Sequence, residues 1–133
     1  MAFGRLLKYL KEHRPDLLAD RQVRTRLAQA RIDLQCHRAL TLTNSSIVAS
    51  GATPTMEASM VKIWSSEMRY RMESMWIDLL GRSGLVSDES EGAVVGGQAE
   101  KGYRTSPILR FGGGTNEVQR NIIAQRGLAM PRG

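Results

Sequence analysis

The chain lacks most of the features that assign a protein quickly to a class. It holds a single cysteine, Cys36, in 133 residues, so no internal disulfide can form. One lone thiol fits a reducing, cytoplasmic setting, and Cys36 is expected to be a small buried hydrophobe. No apolar run reaches the ~18 residues that a membrane-spanning helix needs. The opening MAFGRLLKYLKEH is too short and too charged for a secretory signal. The histidines, His13 and His37, have no partner at metal-ligand spacing, so no metal site is expected. His37 adjoins Cys36, but neighbouring residues of a helix do not face each other. Internal repeats and strand-like alternation are also missing.

What is present is basic and helical. Lys and Arg number 19 against 13 Asp and Glu, for a net charge of +6. Such an excess attracts nucleic acid, membranes or small anions. The basic residues are mostly arginine and are scattered through helical stretches, which is the pattern of a solvated face. With no nucleic-acid-binding motif beside them, neither a nucleic acid nor a membrane is the expected partner.

Residues 3–13 read as a short helix or turn ending before Pro15. From Asp20 to Ser50 there is no Gly or Pro, and Val23, Leu27, Ala30 and Leu34 recur at helical spacing. A second stripe, Ile32, Cys36, Ala39, Thr43 and Ile47, predicts burial of this helix on more than one side, with Gly51 as its stop. A further helix is expected from Pro54 to Leu80, capped by Thr53 and ended by Gly81, about 40 Å long at the helical rise. Met56, Met60, Trp64, Met68, Met72, Met75 and Leu79 form its apolar stripe, read as adaptable core. Glu67 with Arg71 and Arg69 with Glu73 are spaced to pair on its outer face. Residues 81–102, rich in Gly, Ser and acid, read as one long loop. Tyr103 to Phe111 leads to the run Gly112, Gly113, Gly114, after which Thr115 caps a last helix to about Leu128, with Val118, Ile122 and Ile123 inward. The fold class is therefore all-α, an antiparallel, up-and-down helix bundle forming one domain over 1–133.

Glycines before a helix N-terminus allow close approach of main chain to a ligand. Their N–H groups and the helix dipole favour a negative or polarised oxygen. The same residues also fit a plain turn or hinge. No Lys follows the glycines as in a Walker A loop, and no clear strand precedes them as in a dinucleotide fingerprint.

FGGGTNEVQRNIIAQRGLAMPR, residues 111–132, closely resembles the C-terminal signature of acyl-CoA dehydrogenases. PTMEASMVKIWSSEMRYRMESMWIDLLGRSGL, residues 54–85, resembles bacterial members of that family, including those acting on bulky acyl groups. FGRLL, residues 3–7, looks like the family's loop between the first two helices of its C-terminal domain. The resemblance covers nearly the whole chain and implies that domain's bundle without its first helix, so that the chain is a fragment, a split subunit or a truncation product. The arginine of the family's Arg-x-x-Phe-Gly element would precede Met1, leaving Phe3 and Gly4.

The resemblance implies FAD-dependent α,β-dehydrogenation of an acyl-CoA to the 2-enoyl-CoA. It also implies an oligomer, either with itself or with a flavin-bearing subunit, and an electron-transferring flavoprotein as acceptor. In many members the base is a glutamate just before the Gly-Thr of the signature; here that place is Gly113, and no catalytic base can be named. The Gly113 main-chain N–H keeps the implied role of donor to the thioester carbonyl, which makes Gly113 the substrate-binding residue. Gly114, Thr115 and Glu117 match cofactor-binding positions, and Phe3 and Gly81 match positions lining the FAD of a neighbouring subunit. Asp78 stands where relatives often have Gln, and Arg82 where they often have Gly, so those cofactor contacts are altered. Alone, the chain is expected to be inactive. The alternative is a non-catalytic assembly module that pairs with itself or with a flavin-bearing partner.

Overall fold

In a computed structural model the described residues are 2–88 and 90–131, and among them the chain is helical with no strand. Arg132, the last residue of the C-terminal signature, lies outside them. In order, the helices are α1 (Ala2–His13), α2 (Pro15–Ala19), α3 (Arg21–Ala49), α4 (Met56–Leu80), α5 (Gln98–Thr105) and α6 (Asn116–Ile122). Tight 3-10 turns at Gly81–Leu85 and Ser106–Arg110 follow α4 and α5, and a wider π turn, Ile123–Gly127, extends α6.

Two compact units divide the long helices between them. The first comprises residues 1–31 and 69–106. Leu6 and Leu10, one turn apart on α1, are fully buried. With them lie Val23, Leu27 and Ala30 of α3, Met72, Met75, Trp76, Leu79 and Leu80 of α4, and Ala99 of α5. Burying each large aliphatic side chain contributes about 1.5–3 kcal/mol. Asp20 caps α3, its carboxylate accepting from the N–H of Gln22 (2.6 Å) and of Val23 (3.2 Å). Arg26 of α3 donates to Asp78 of α4 at 2.7 Å.

The expected loop at 81–102 is corrected in this unit. After the turn at Gly81–Leu85 an irregular stretch leads to Gln98, where α5 begins. Ala99, Gly102 and Ser106 fall on one helical face and are buried. The glycines that read as breakers are there for space. At Gly97, φ is +66°, and a Cβ would lie 2.7 Å from Asp88 Cα and 2.8 Å from the Ser87 carbonyl carbon. At Gly102, a Cβ would meet the carboxylate of Glu73. Glu73 is 1% exposed and pairs with Arg69, so the carboxylate end of this ion pair is buried, while Arg69 keeps the outer face that the spacing predicted for both.

The second unit comprises 32–68 and 107–133. The Trp64 indole donates to the Asp33 carbonyl at 3.0 Å and ties α4 to α3. α4 begins at Met56, two residues later than the Thr53–Pro54 start expected, and the Thr55 carbonyl accepts the Ser59 N–H at 3.4 Å. Further corrections concern burial. The stripe of Ile32, Cys36, Ala39 and Thr43 is exposed, Ile47 is half-buried, and Cys36 is not a core residue. Val118 is 49% exposed, whereas Ile122 and Ile123 are half-buried. Glu67 is held by Arg120 of α6.

Candidate functional site: the glycine turn before α6

Five residues, Phe111 to Thr115, join the 3-10 turn Ser106–Arg110 to α6. The Ile108 carbonyl accepts from the N–H of Phe111 (3.1 Å) and of Gly112 (2.9 Å), closing the turn. Gly112 therefore uses its amide internally, and two glycine amides rather than three are available. Gly113 and Gly114 follow with φ of +72° and +90°, a left-handed pair that side chains rarely tolerate. Their N–H groups have no hydrogen-bond partner among the described residues, and both glycines are exposed. A Cβ at Gly113 would meet nothing within 4 Å. Backbone conformation, not crowding, selects glycine there. The Gly113 carbonyl accepts from Gln119 Nε2 at 2.9 Å, which holds the turn against the first turns of α6.

Thr115 is the N-cap of α6, as its sequence position predicted. Its φ and ψ are −64° and 159°, and its hydroxyl accepts the Val118 N–H at 3.3 Å. Glu117, in the first turn, is exposed. Its own N–H and the Thr115 hydroxyl hold its carboxyl below the ordinary glutamate range, and Arg120 and Arg110 add to this.

A polar network that the sequence reading missed fixes the turn to α4. Asn116, 1% exposed, accepts from Lys62 Nζ (2.7 Å) and Ser66 Oγ (3.1 Å), and donates to Glu67 Oε1 (3.3 Å). Lys62 also donates to the Arg110 carbonyl at 3.1 Å, and Arg120 donates to the same Glu67 oxygen. Burial pulls the Lys62 ammonium below the usual lysine range, while the Glu117 carboxylate opposes that shift. The signal in the sequence was slight: Lys62 and Ser66 lie one helical turn apart, and their partner is 54 and 50 residues away.

Of the residues singled out from the sequence, Gly113, Gly114, Thr115 and Glu117 come together here. Phe3, Gly81, Asp78 and Arg82 belong to the other unit. Phe3 is half-buried, its ring 5.7 Å from that of Trp76. Gly81, at φ +56°, is exposed with open space where a Cβ would be. Asp78 is engaged by Arg26. Among the described residues, no cluster of three or more His, Cys, Asp or Glu is placed to hold a metal ion, and no helix is long and apolar enough to cross a membrane.

Chemically, the turn offers paired main-chain donors at an open surface, backed by a helix N-terminus. Such an arrangement is suited to binding and polarising an oxygen. It does not remove a proton. Of the nearby carboxylates, Glu67 is engaged by Arg120 and Asn116, and Glu117 is exposed with its carboxyl held below the ordinary glutamate range.

Comparison with known proteins identifies the family. The family described as "Acyl-CoA dehydrogenase, C-terminal domain" matches residues 1–128. Acyl-CoA dehydrogenase FadE26 of Mycobacterium tuberculosis is 37% identical over 83 residues, 62% of this chain and 20% of that protein. The solved steroid ACAD Tcur3481–Tcur3483 superposes with a TM-score of 0.92 at 29% identity, over 99% of this chain and 34% of that one. The ChsE4–ChsE5 complex from Mycobacterium tuberculosis superposes with a TM-score of 0.86 at 27% identity, over 98% and 36%. The chain thus spans a fifth to about a third of the length of these relatives. With residues 1–128 matched and the all-helical fold shared, the chain belongs to the acyl-CoA dehydrogenase family and corresponds to its C-terminal helical domain.

Proposed function

We propose that the chain serves as the C-terminal domain of an FAD-dependent acyl-CoA dehydrogenase that converts an acyl-CoA to the 2-enoyl-CoA. In this reading it supplies thioester and flavin contacts and an oligomer interface, and is inactive alone. The observation that carries it is the left-handed pair Gly113–Gly114, with unpartnered amides at an open surface, inside the family's signature.

FAD fits the main chain here better than the side chains. The Gly113 and Gly114 amides are free to face a flavin, whereas the Thr115 hydroxyl already accepts the Val118 N–H. FAD, held against the Gly113 and Gly114 amides, would supply the acceptor for the hydride of the β-carbon. The Gly113 N–H donates to the thioester carbonyl and so stabilises the enolate-like oxygen as the α-proton departs. Gly114, Thr115 and α6 hold that donor in place. Phe3 and Gly81 would face the cofactor of a neighbouring subunit. The proton itself goes to a carboxylate outside this chain, since position 113 carries no side chain. Solved relatives that are named as pairs of components are consistent with a partner subunit that supplies it.

A second reading, a non-catalytic assembly module, is favoured by one observation. Ile32, Leu42 and Val48 on α3 are each more than half exposed. Exposed apolar side chains of this kind, although spread around the helix rather than gathered in one stripe, promote association with a second copy or with a flavin-bearing subunit.

The test is purification of the chain alone and with a flavin-bearing acyl-CoA dehydrogenase subunit, scored by flavin absorbance and by acyl-CoA-dependent reduction of an artificial acceptor. The expected result is colourless, inactive chain alone and yellow, active complex. An assembled complex that never retains flavin would point to the assembly module. Turnover by the chain alone would contradict the absence of a base.

A further inference from the structure

We propose that Lys62 is a positioning residue for the glycine turn, its one ammonium group joining the carbonyl that precedes Phe111 to the side chain that follows Thr115. Two bonds define the clamp: Lys62 Nζ to the Arg110 carbonyl at 3.1 Å, and to Asn116 Oδ1 at 2.7 Å. Arg110 ends one helical turn and Asn116 begins α6, so the clamp closes a loop of five residues, Phe111 to Thr115.

That loop needs external restraint. Glycine loses more conformational freedom on ordering than any other residue, and here three stand in succession. Ile108 fixes the entry to the turn and Gln119 its centre, and Lys62 reaches both ends. The anchor on the far side is firm. Asn116 is buried, its oxygen also accepts from Ser66, and its nitrogen donates to Glu67. An ammonium suits the task because it presents three donors on a flexible stem and can serve two acceptors at different angles. Hydrogen bonds from a charged donor are also the stronger kind.

The mechanical claim stands on these contacts. Its catalytic consequence rests on the function proposed above: with the clamp in place, the Gly113 and Gly114 amides keep one direction and meet the thioester oxygen without reordering.

The test uses the 133-residue chain, labelled with nitrogen-15. In the wild type, Lys62 should give its own ammonium resonance with slowed hydrogen exchange, unlike exposed Lys8. Backbone order parameters at Gly113 and Gly114 should be near those of rigid backbone, about 0.85, and should fall below about 0.6 in Lys62→Met. Methionine keeps the apolar stem and removes the donor, so a residue that merely packs would leave these values unchanged. Low order in the wild type, an Lys62 ammonium exchanging as fast as that of Lys8, or unaltered order in Lys62→Met would each overturn the clamp. If Lys62→Met does not fold, the wild-type measurements decide. In the assembled flavoenzyme, Lys62→Met should lower kcat more than it changes KM. If the turn loosens as expected and kcat and KM do not separate in this way, the clamp stands and the proposed function fails.

Discussion

Replacing Gly102 by alanine should destabilise the chain, against the ordinary preference of a helix. Gly102 lies within α5, where alanine normally favours the helix by about 1 kcal/mol over glycine. Here a Cβ would sit 2.8 Å from Glu73 Oε1 and closer still to Oε2. A surface carboxylate would swing aside at little cost. Glu73 is 1% exposed and held beside Arg69, so it must push on packed neighbours or leave its ion pair. Overpacking of this kind costs about 1–3 kcal/mol, and after the helix gain the net loss should reach up to about 2 kcal/mol. Glu73→Ala removes the obstacle. In that background Gly102→Ala should stabilise by up to about 1 kcal/mol, giving a coupling of about 1–3 kcal/mol between the sites. Urea unfolding of the wild type, both single variants and the double variant measures all of these terms. If Gly102→Ala stabilises the chain equally in both backgrounds, Glu73 is not the obstacle and α5 does not rest on α4 through Gly102.

Other substitutions test the turn and the buried charge. Thr115→Ala removes the cap of α6 and should cost about 1 kcal/mol in thermal or urea unfolding, with Thr115→Ser close to wild type. Gly113→Ala meets no steric obstacle but must hold φ near +72°, so it should cost about 1–2 kcal/mol, and Gly113→Asn less. Glu73 should give stability a pH slope. Burial raises its carboxyl above the ordinary glutamate range, against the pull of Arg69. The folded chain therefore holds that proton more tightly than the unfolded chain. The contribution is full below the unfolded value and is lost as the pH rises through the folded one. Glu73→Gln should flatten that slope, and parallel stability profiles for variant and wild type would contradict it.

Local signals carried much of the fold. The absence of Gly and Pro between Asp20 and Ser50 marks α3, and Gly81 marks the end of α4. Thr115 announces α6 because an N-cap is a short-range device. What was lost depends on contacts between distant residues. Gly102 reads as a breaker until Glu73 is seen occupying the space of its Cβ. The Lys62–Asn116 bond spans 54 positions, and no periodicity reports it. Cys36 and Val118 were placed inward because an apolar stripe tells which face is sticky, not what covers it. The position of the glycines was legible. That Gly112 spends its amide on Ile108, leaving two donors, required the turn's geometry.

The role assigned to the glycine turn can be measured directly. With glycine selectively labelled in the chain and the chain assembled with a flavin-bearing acyl-CoA dehydrogenase subunit, the amide resonances of Gly113 and Gly114 are followed as a non-oxidisable acyl-CoA is added. Both should shift, Gly113 most, in step with the change in flavin absorbance. Glycine resonances that stay still while the flavin responds would mean that the thioester binds elsewhere.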